Sequence, residues 1–191
     1  MLSVCLILIF STKAYAAVPT YSHKMIGGIS DIYIYIDDKE QLKATYWQNL
    51  IQSAVNNWMY TGVGANQFYA LGYVSSGTSG SKIDFYARPA NYFGIFGDEI
   101  LGMTSYWSYD IRAVDPLSSD WYSAQIDVND TLLRHDSISD HQAIGLFAHE
   151  IGHAFGLRES NDPYSIMYYT TFGRAVWKVQ KVDNDALNSL Y

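Results

Sequence analysis

The stretch Ser139-Asp140-His141-Gln142-Ala143-Ile144-Gly145-Leu146-Phe147-Ala148-His149-Glu150-Ile151-Gly152-His153-Ala154-Phe155-Gly156 decides how this chain folds. Ser139 is a candidate N-cap, with Gln142 three residues on, where a capping box needs it. Ile144, Phe147, Ala148, Ile151 and Phe155 recur at helical spacing and mark a buried face. Gly156 stands where the helix must stop, because glycine accepts the positive φ of a sharp reversal. Within the helix His149 and His153 are four residues apart, so both imidazoles project from one face and can reach one zinc ion. Glu150 lies beside the first of them, where its carboxylate can approach a water on the metal. A helix with two exposed histidines is the competing reading of these residues taken alone.

Downstream, the reversal at Gly156 can bring the side chain at position 159 back toward the metal, and Ser165-Ile166-Met167-Tyr168-Tyr169 places a methionine in a turn. A loop is expected over residues 156–177. It is followed by a closing helix whose apolar face is Val182, Ala186, Leu187, Leu190 and Tyr191. Upstream, Ile32-Tyr33-Ile34-Tyr35-Ile36 alternates as a strand does, and Trp47, Leu50, Ile51, Ala54, Val55 and Trp58 fall at helical spacing. Asp38 and Gln41 could form that helix's capping box and Gly62 could end it. Residues 67–74 and 82–88 read as strands flanking a Ser/Gly loop at 75–81, and residues 100–107 and 123–128 as two more. This order indicates an α+β (mixed) domain.

His149 to Ser160, HEIGHAFGLRES, resembles the extended zinc signature of the metzincin proteases, and Met167 resembles their Met-turn. The spacing between His149 and Met167 is similar to that of the compact matrixin branch. Ala124-Gln125-Ile126-Asp127-Val128-Asn129 resembles the strand before the active-site helix in bacterial matrixin-like proteins, and residues 183–191 resemble the family's last helix. The resemblance implies a twisted sheet with an edge strand, residues 100–107, over the cleft. It also implies a long active-site helix, a Met-turn and a C-terminal helix. The activity implied is hydrolysis of extended peptides by a zinc-activated water with Glu150 as general base, with the specificity pocket between that helix and residues 169–177.

The chain departs from the family at Glu159, where matrixins place a third histidine and some metzincins an aspartate. A carboxylate is an acceptable zinc ligand, so Glu159 is expected to join His149 and His153. The other readings are an exposed glutamate with Asp162 or a water completing the shell, or a weakened site. Tyr169 stands two residues beyond Met167, where astacin- and serralysin-like metzincins carry a tyrosine that approaches the zinc. It is a candidate weak ligand or oxyanion donor, against an ordinary loop tyrosine in a Tyr-rich chain. Met167 is expected to floor the zinc site, since thioethers are poor zinc ligands. His141, His135 and His23 are expected in solvated or loop positions. Asp98, Asp110 and Asp115 could bind calcium, although no calcium-loop pattern is present.

The chain has 191 residues with 49% apolar, which suits one domain with a sizeable core and argues against disorder. A net charge of −7 makes nucleic acid and anionic lipid unnatural partners. Residues 2–10 form a short apolar run, and Ala14-Tyr15-Ala16 supplies a small-x-small cleavage pattern, so residues 1–16 read as a signal peptide and residues 17–191 as a secreted, extracellular catalytic domain. No Lys or Arg precedes the run, and it is too short to span a bilayer. Cys5, the single cysteine, falls within that signal, leaving a mature chain stabilised by its core and by metal rather than by disulfides. About fifteen residues separate the cleavage pattern from the first strand, too few for a folded inhibitory domain. A monomer is expected. The alternatives are a zinc-binding domain of the same fold that no longer cleaves, and an extracellular binding module in which the histidine pair is accidental.

Overall fold

The computed structural model describes residues 16–37, 45–74, 78, 80–135 and 138–191. All but the last residue of the expected export signal, with Cys5, the expected capping pair Asp38 and Gln41 and most of the Ser/Gly loop lie outside these. Among the described residues six strands form one sheet in the order β2-β1-β3-β6-β4-β5, with β1 Ile32–Ile36, β2 Ala70–Val74, β3 Ser81–Arg88, β4 Gly102–Trp107, β5 Ala113–Val114 and β6 Ser123–Asn129. β2, β1, β3 and β6 run parallel. β4 turns back antiparallel to β6, and β5 pairs antiparallel with only Tyr106 and Trp107 at the far end of β4. The edge of β4 from Gly102 to Ser105 therefore lies outside the β5 pairing. The arrangement is the mixed α+β sheet that the element order implied.

Among the described residues four α-helices accompany the sheet: α1 Thr45–Met59, α2 Asp130–His135, α3 Asp140–Phe155 and α4 Lys181–Leu190. The core forms where α1 and α3 pack together against one sheet face. Ile34, Ile83, Phe85, Ile126 and Val128 alternate inward from the strands to meet Ile51, Val55, Trp58, Phe147, Ile151 and Phe155. Phe147 lies between Trp47 and Phe85 in two edge-to-face contacts of 6.1 and 6.2 Å, while Trp58 meets Phe155 at 5.5 Å. Two buried tryptophans also grip the α3 backbone, Trp58 Nε1 donating to the Ala148 carbonyl (2.8 Å) and Trp121 Nε1 to that of Ala154 (3.0 Å). A helix held in this way presents the side chains of its cleft-facing side from a rigid support.

The capping box at Ser139 and Gln142 forms as the sequence suggested, and Gly156 ends α3 with φ 103°, its amide reaching back to the carbonyls of Gly152 and His153. Several boundaries differ. α1 ends at Met59, before Gly62, because the Asn66 amide binds the Met59 and Phe68 carbonyls and accepts from the Phe68 amide. That side chain occupies the backbone of residues 66–68, so β2 starts at Ala70 rather than at residue 67. Asn129 has the same effect on residues 97–101, binding the carbonyls of Gly97 and Ile100 at 2.8 and 2.9 Å, so β4 starts at Gly102 rather than at residue 100. A 3-10 segment at Ala90–Phe96, the short α2 and the two-residue β5 were not legible in the sequence. His135 ends α2 rather than lying in a loop. Among the described residues no helix is long and apolar enough to cross a membrane.

Candidate metal centre

α3 runs beneath the β4 edge with His149 and His153 on one face, and the reversal at Gly156 returns Glu159 to them. The tight return requires glycine at 156 because of its positive φ, and an added Cβ there would also displace the tip of Leu190, 2.7 Å away. The Nε2 atoms of His149 and His153 lie 3.0 Å apart, and Glu159 Oε1 lies 3.5 Å from the first and 3.3 Å from the second. Zinc–nitrogen bonds of ~2.0–2.1 Å set the edge of a coordination tetrahedron at ~3.3 Å, so this triangle has the size that one zinc ion needs. Among the described residues no other trio of His, Cys, Asp or Glu gathers so closely.

The opposite nitrogen of each ring is also occupied. His149 Nδ1 lies 3.0 Å from the Ile166 carbonyl and His153 Nδ1 2.9 Å from that of Leu157. A carbonyl only accepts, so each Nδ1 carries the proton and each Nε2 lone pair faces the shared point. Partial burial works against charge on Glu159, but the two imidazoles outweigh it and hold the carboxyl well below its ordinary range. That pull comes from the rings in their protonated form; a cation at the shared point displaces the Nε2 proton, and the donor set it meets is two neutral imidazoles and one anionic oxygen, which suits zinc. Asp162 lies outside this cluster, its carboxylate accepting from the Tyr164 amide at 2.9 Å.

Glu150 is buried, and its carboxylate accepts a 2.7 Å hydrogen bond from the Thr104 hydroxyl on β4. It shares a cleft of about 230 Å³ with His149, Glu159, Tyr169 and Arg174. Met167 is wholly buried beneath α3, where a Cβ on Gly152 would overlap its sulfur, so glycine is needed for the helix to rest on it. A protein-family model, that of the matrixins, matches residues 30–191.

This chain belongs to the matrixin family. Matrixins bind zinc and are zinc-dependent metalloendopeptidases, and the cluster of His149, His153 and Glu159 is compatible with such a site. Matrixin-family proteins are typically extracellular. A search of the curated proteins finds no match.

In this matrixin Tyr169 lines the cleft but is 59% exposed, its ring tilted against Tyr168 at 4.6 Å. His23 meets Asp120, and the exposed His141 stacks on Trp177 at 4.2 Å. Asp110 is engaged by Ser108 and Arg112, and Asp115 caps the Leu117 amide. Thr104, Asp183 and Arg174 were not singled out from sequence. Asp183 on α4 is buried and receives the Ser165 hydroxyl and the amides of Ile166 (3.1 Å) and Gln180 (2.8 Å), so α4 holds the turn whose carbonyl orients His149. A buried aspartate in a closing helix was the only signal available for it.

Proposed function

We propose that this chain is a secreted zinc endopeptidase in which His149, His153 and Glu159 hold the metal and Glu150 is the general base. The observation that carries the reading is the triangle of donor atoms at 3.0, 3.3 and 3.5 Å, with both imidazoles oriented from behind by backbone carbonyls. Zinc bound there would supply Lewis acidity to the attacking water and the scissile carbonyl. Glu150, steadied by Thr104, accepts a proton from that water and returns it to the leaving nitrogen. Tyr169, on the cleft rim, donates to the developing oxyanion.

The substrate in this reading is an extended peptide that pairs with β4 from Gly102 to Ser105. β5 pairs antiparallel along the same edge, so a peptide continuing that row runs antiparallel to β4. The apolar run and small-residue pattern of residues 1–16 support export.

Metal analysis of purified protein, alongside casein cleavage with and without chelator, tests the reading. One equivalent of zinc and chelator-sensitive cleavage are expected. Glu159→Ala should lose zinc, while Glu150→Ala should keep zinc and fold but lose nearly all turnover. One equivalent of zinc with no chelator-sensitive cleavage would mark an inert zinc-binding domain instead.

A further inference from the structure

Arg174 follows Gly173 in the segment beyond Tyr169, and its guanidinium lies against α3. A Cβ on Gly145 would meet Nη1 at 3.0 Å, and Gly145 stands one turn before His149 on the same face of the helix. The missing side chain at 145 thus makes the berth in which the guanidinium lies. Arg174 lines the metal cleft of about 230 Å³ and also an adjoining cavity of about 90 Å³ walled by His141, Gly145 and Trp177, so it stands as the partition between them.

Its Nε is buried with no hydrogen-bond partner, and among the described residues no carboxylate lies within ion-pair distance of it. Burial lowers its pKa to about 10, against the opposing fields of Glu150, Glu159 and Asp183, so it remains a cation at neutral pH. The guanidinium is half-buried at the cleft wall, and a buried Nε–H that donates to nothing is costly and calls for an explanation. Guanidinium pairs most strongly with a carboxylate, whose two oxygens match its fork.

We propose that Arg174 is the receptor for a substrate carboxylate, so that the cleft selects peptides bearing one on the residue that follows the scissile bond. This rests on the proteolytic reading above. A peptide antiparallel to β4 enters at the Trp107 end and leaves past Gly102. The cavity bounded by Glu99, Ile100, Leu101 and Gly102 therefore receives residues on the C-terminal side of the cleaved bond. The carboxylate comes from an Asp or Glu side chain or from the end of the peptide chain itself.

The test uses the zinc-loaded protein and a peptide mixture randomised beyond the cleavage point, with new N-termini read by mass spectrometry. Enrichment of Asp and Glu is expected. Matched peptides with Glu, Gln or Leu at that position, each ending there as free acid or amide, separate a side-chain source from a terminal one. Arg174→Gln should lower kcat/KM for the carboxylate peptide about 10- to 100-fold while the Leu amide changes little. Because an unpaired charge is removed, its Tm should hold or rise. Arg174→Lys should recover part of the preference, and Gly145→Ala, which crowds Nη1, should weaken it without altering the charge.

Binding of the same peptides to zinc-loaded Glu150→Ala, followed by fluorescence anisotropy, needs no turnover. Tighter binding of carboxylate peptides that depends on Arg174, in a wild-type protein that cleaves nothing, supports the receptor and removes the protease. Cleavage with no carboxylate preference in either assay overturns the receptor and leaves the protease standing. A uniform loss across all peptides in Arg174→Gln, with a lowered Tm, would show a structural arginine and overturn the proposal as well.

Discussion

Thr104 on β4 donates a 2.7 Å hydrogen bond from its hydroxyl to the carboxylate of Glu150 on α3, and the same oxygen lies 3.1 Å from the Glu150 carbonyl. The edge strand therefore positions the proposed general base as well as bordering the cleft. Thr104→Val keeps the shape and removes the donor. It should lower kcat about tenfold, the worth of one hydrogen bond to a charged group, with zinc content unchanged. Thr104→Ser should restore most of the rate. Equal kcat values for Val and wild type would show that Glu150 is positioned without this bond.

Asp183 acts on the opposite side of the centre. Its carboxylate receives Ser165 and the amides of Ile166 and Gln180, and the Ile166 carbonyl in turn holds His149 Nδ1 at 3.0 Å. Asp183→Ala orphans these buried donors. It should cost about 3 kcal/mol of stability and weaken zinc binding about tenfold, read by denaturant unfolding and by competition with a metal indicator. Unchanged zinc affinity at reduced stability would separate the Met-turn from the metal centre.

Metal removal should be visible in stability as well. An ion held at 1,000 times its Kd stabilises a fold by ~4 kcal/mol, equivalent to roughly 10 °C in Tm for a chain of this size. A chelator should lower Tm by about that amount, zinc should restore it and magnesium should not. In Glu159→Ala the chelator effect should be much smaller.

The far face of the sheet supplies a pH effect. Burial raises the Asp84 carboxyl from 3.8 to about 6, only partly offset by the hydrogen bond from Ser81. The folded state thus binds the proton more tightly than the unfolded one, and the resulting stability is full below about pH 4 and lost as pH rises through 6. Asp84→Asn should therefore be more stable than wild type above pH 6, approaching about 3 kcal/mol once Asp84 is fully ionised. The two should converge near pH 4. A constant difference across that range in thermal or urea unfolding would contradict the assignment.

The helix α3 and its two cleft-facing histidines were legible because every determinant is local. The capping pair is three residues apart, the histidines are four apart, and the glycine stop follows directly. Alternation likewise revealed β1, and strand-forming composition revealed β3 and β6, whose inward residues form the sheet side of the core. Strand starts at residues 67 and 100 were misplaced because the side chains of Asn66 and Asn129 compete for backbone groups there. Propensity carries no trace of such competition. β5 and α2 are shorter than any period that could reveal them.

What the sequence determined by itself was the helix, the two imidazoles on one face and the reversal that makes a third ligand reachable. Each follows from backbone geometry over fewer than about a dozen residues. Only the tertiary structure decided that Glu159 comes within 3.5 Å of both imidazoles, that Thr104 and Asp183 hold Glu150 and the turn behind His149, and that the Arg174 Nε lies unpaired beside them. Those relationships join separate elements, such as Thr104 to Glu150 across 46 positions. Contacts of that kind exist only once the sheet and helices have packed, because no local rule brings the partners together.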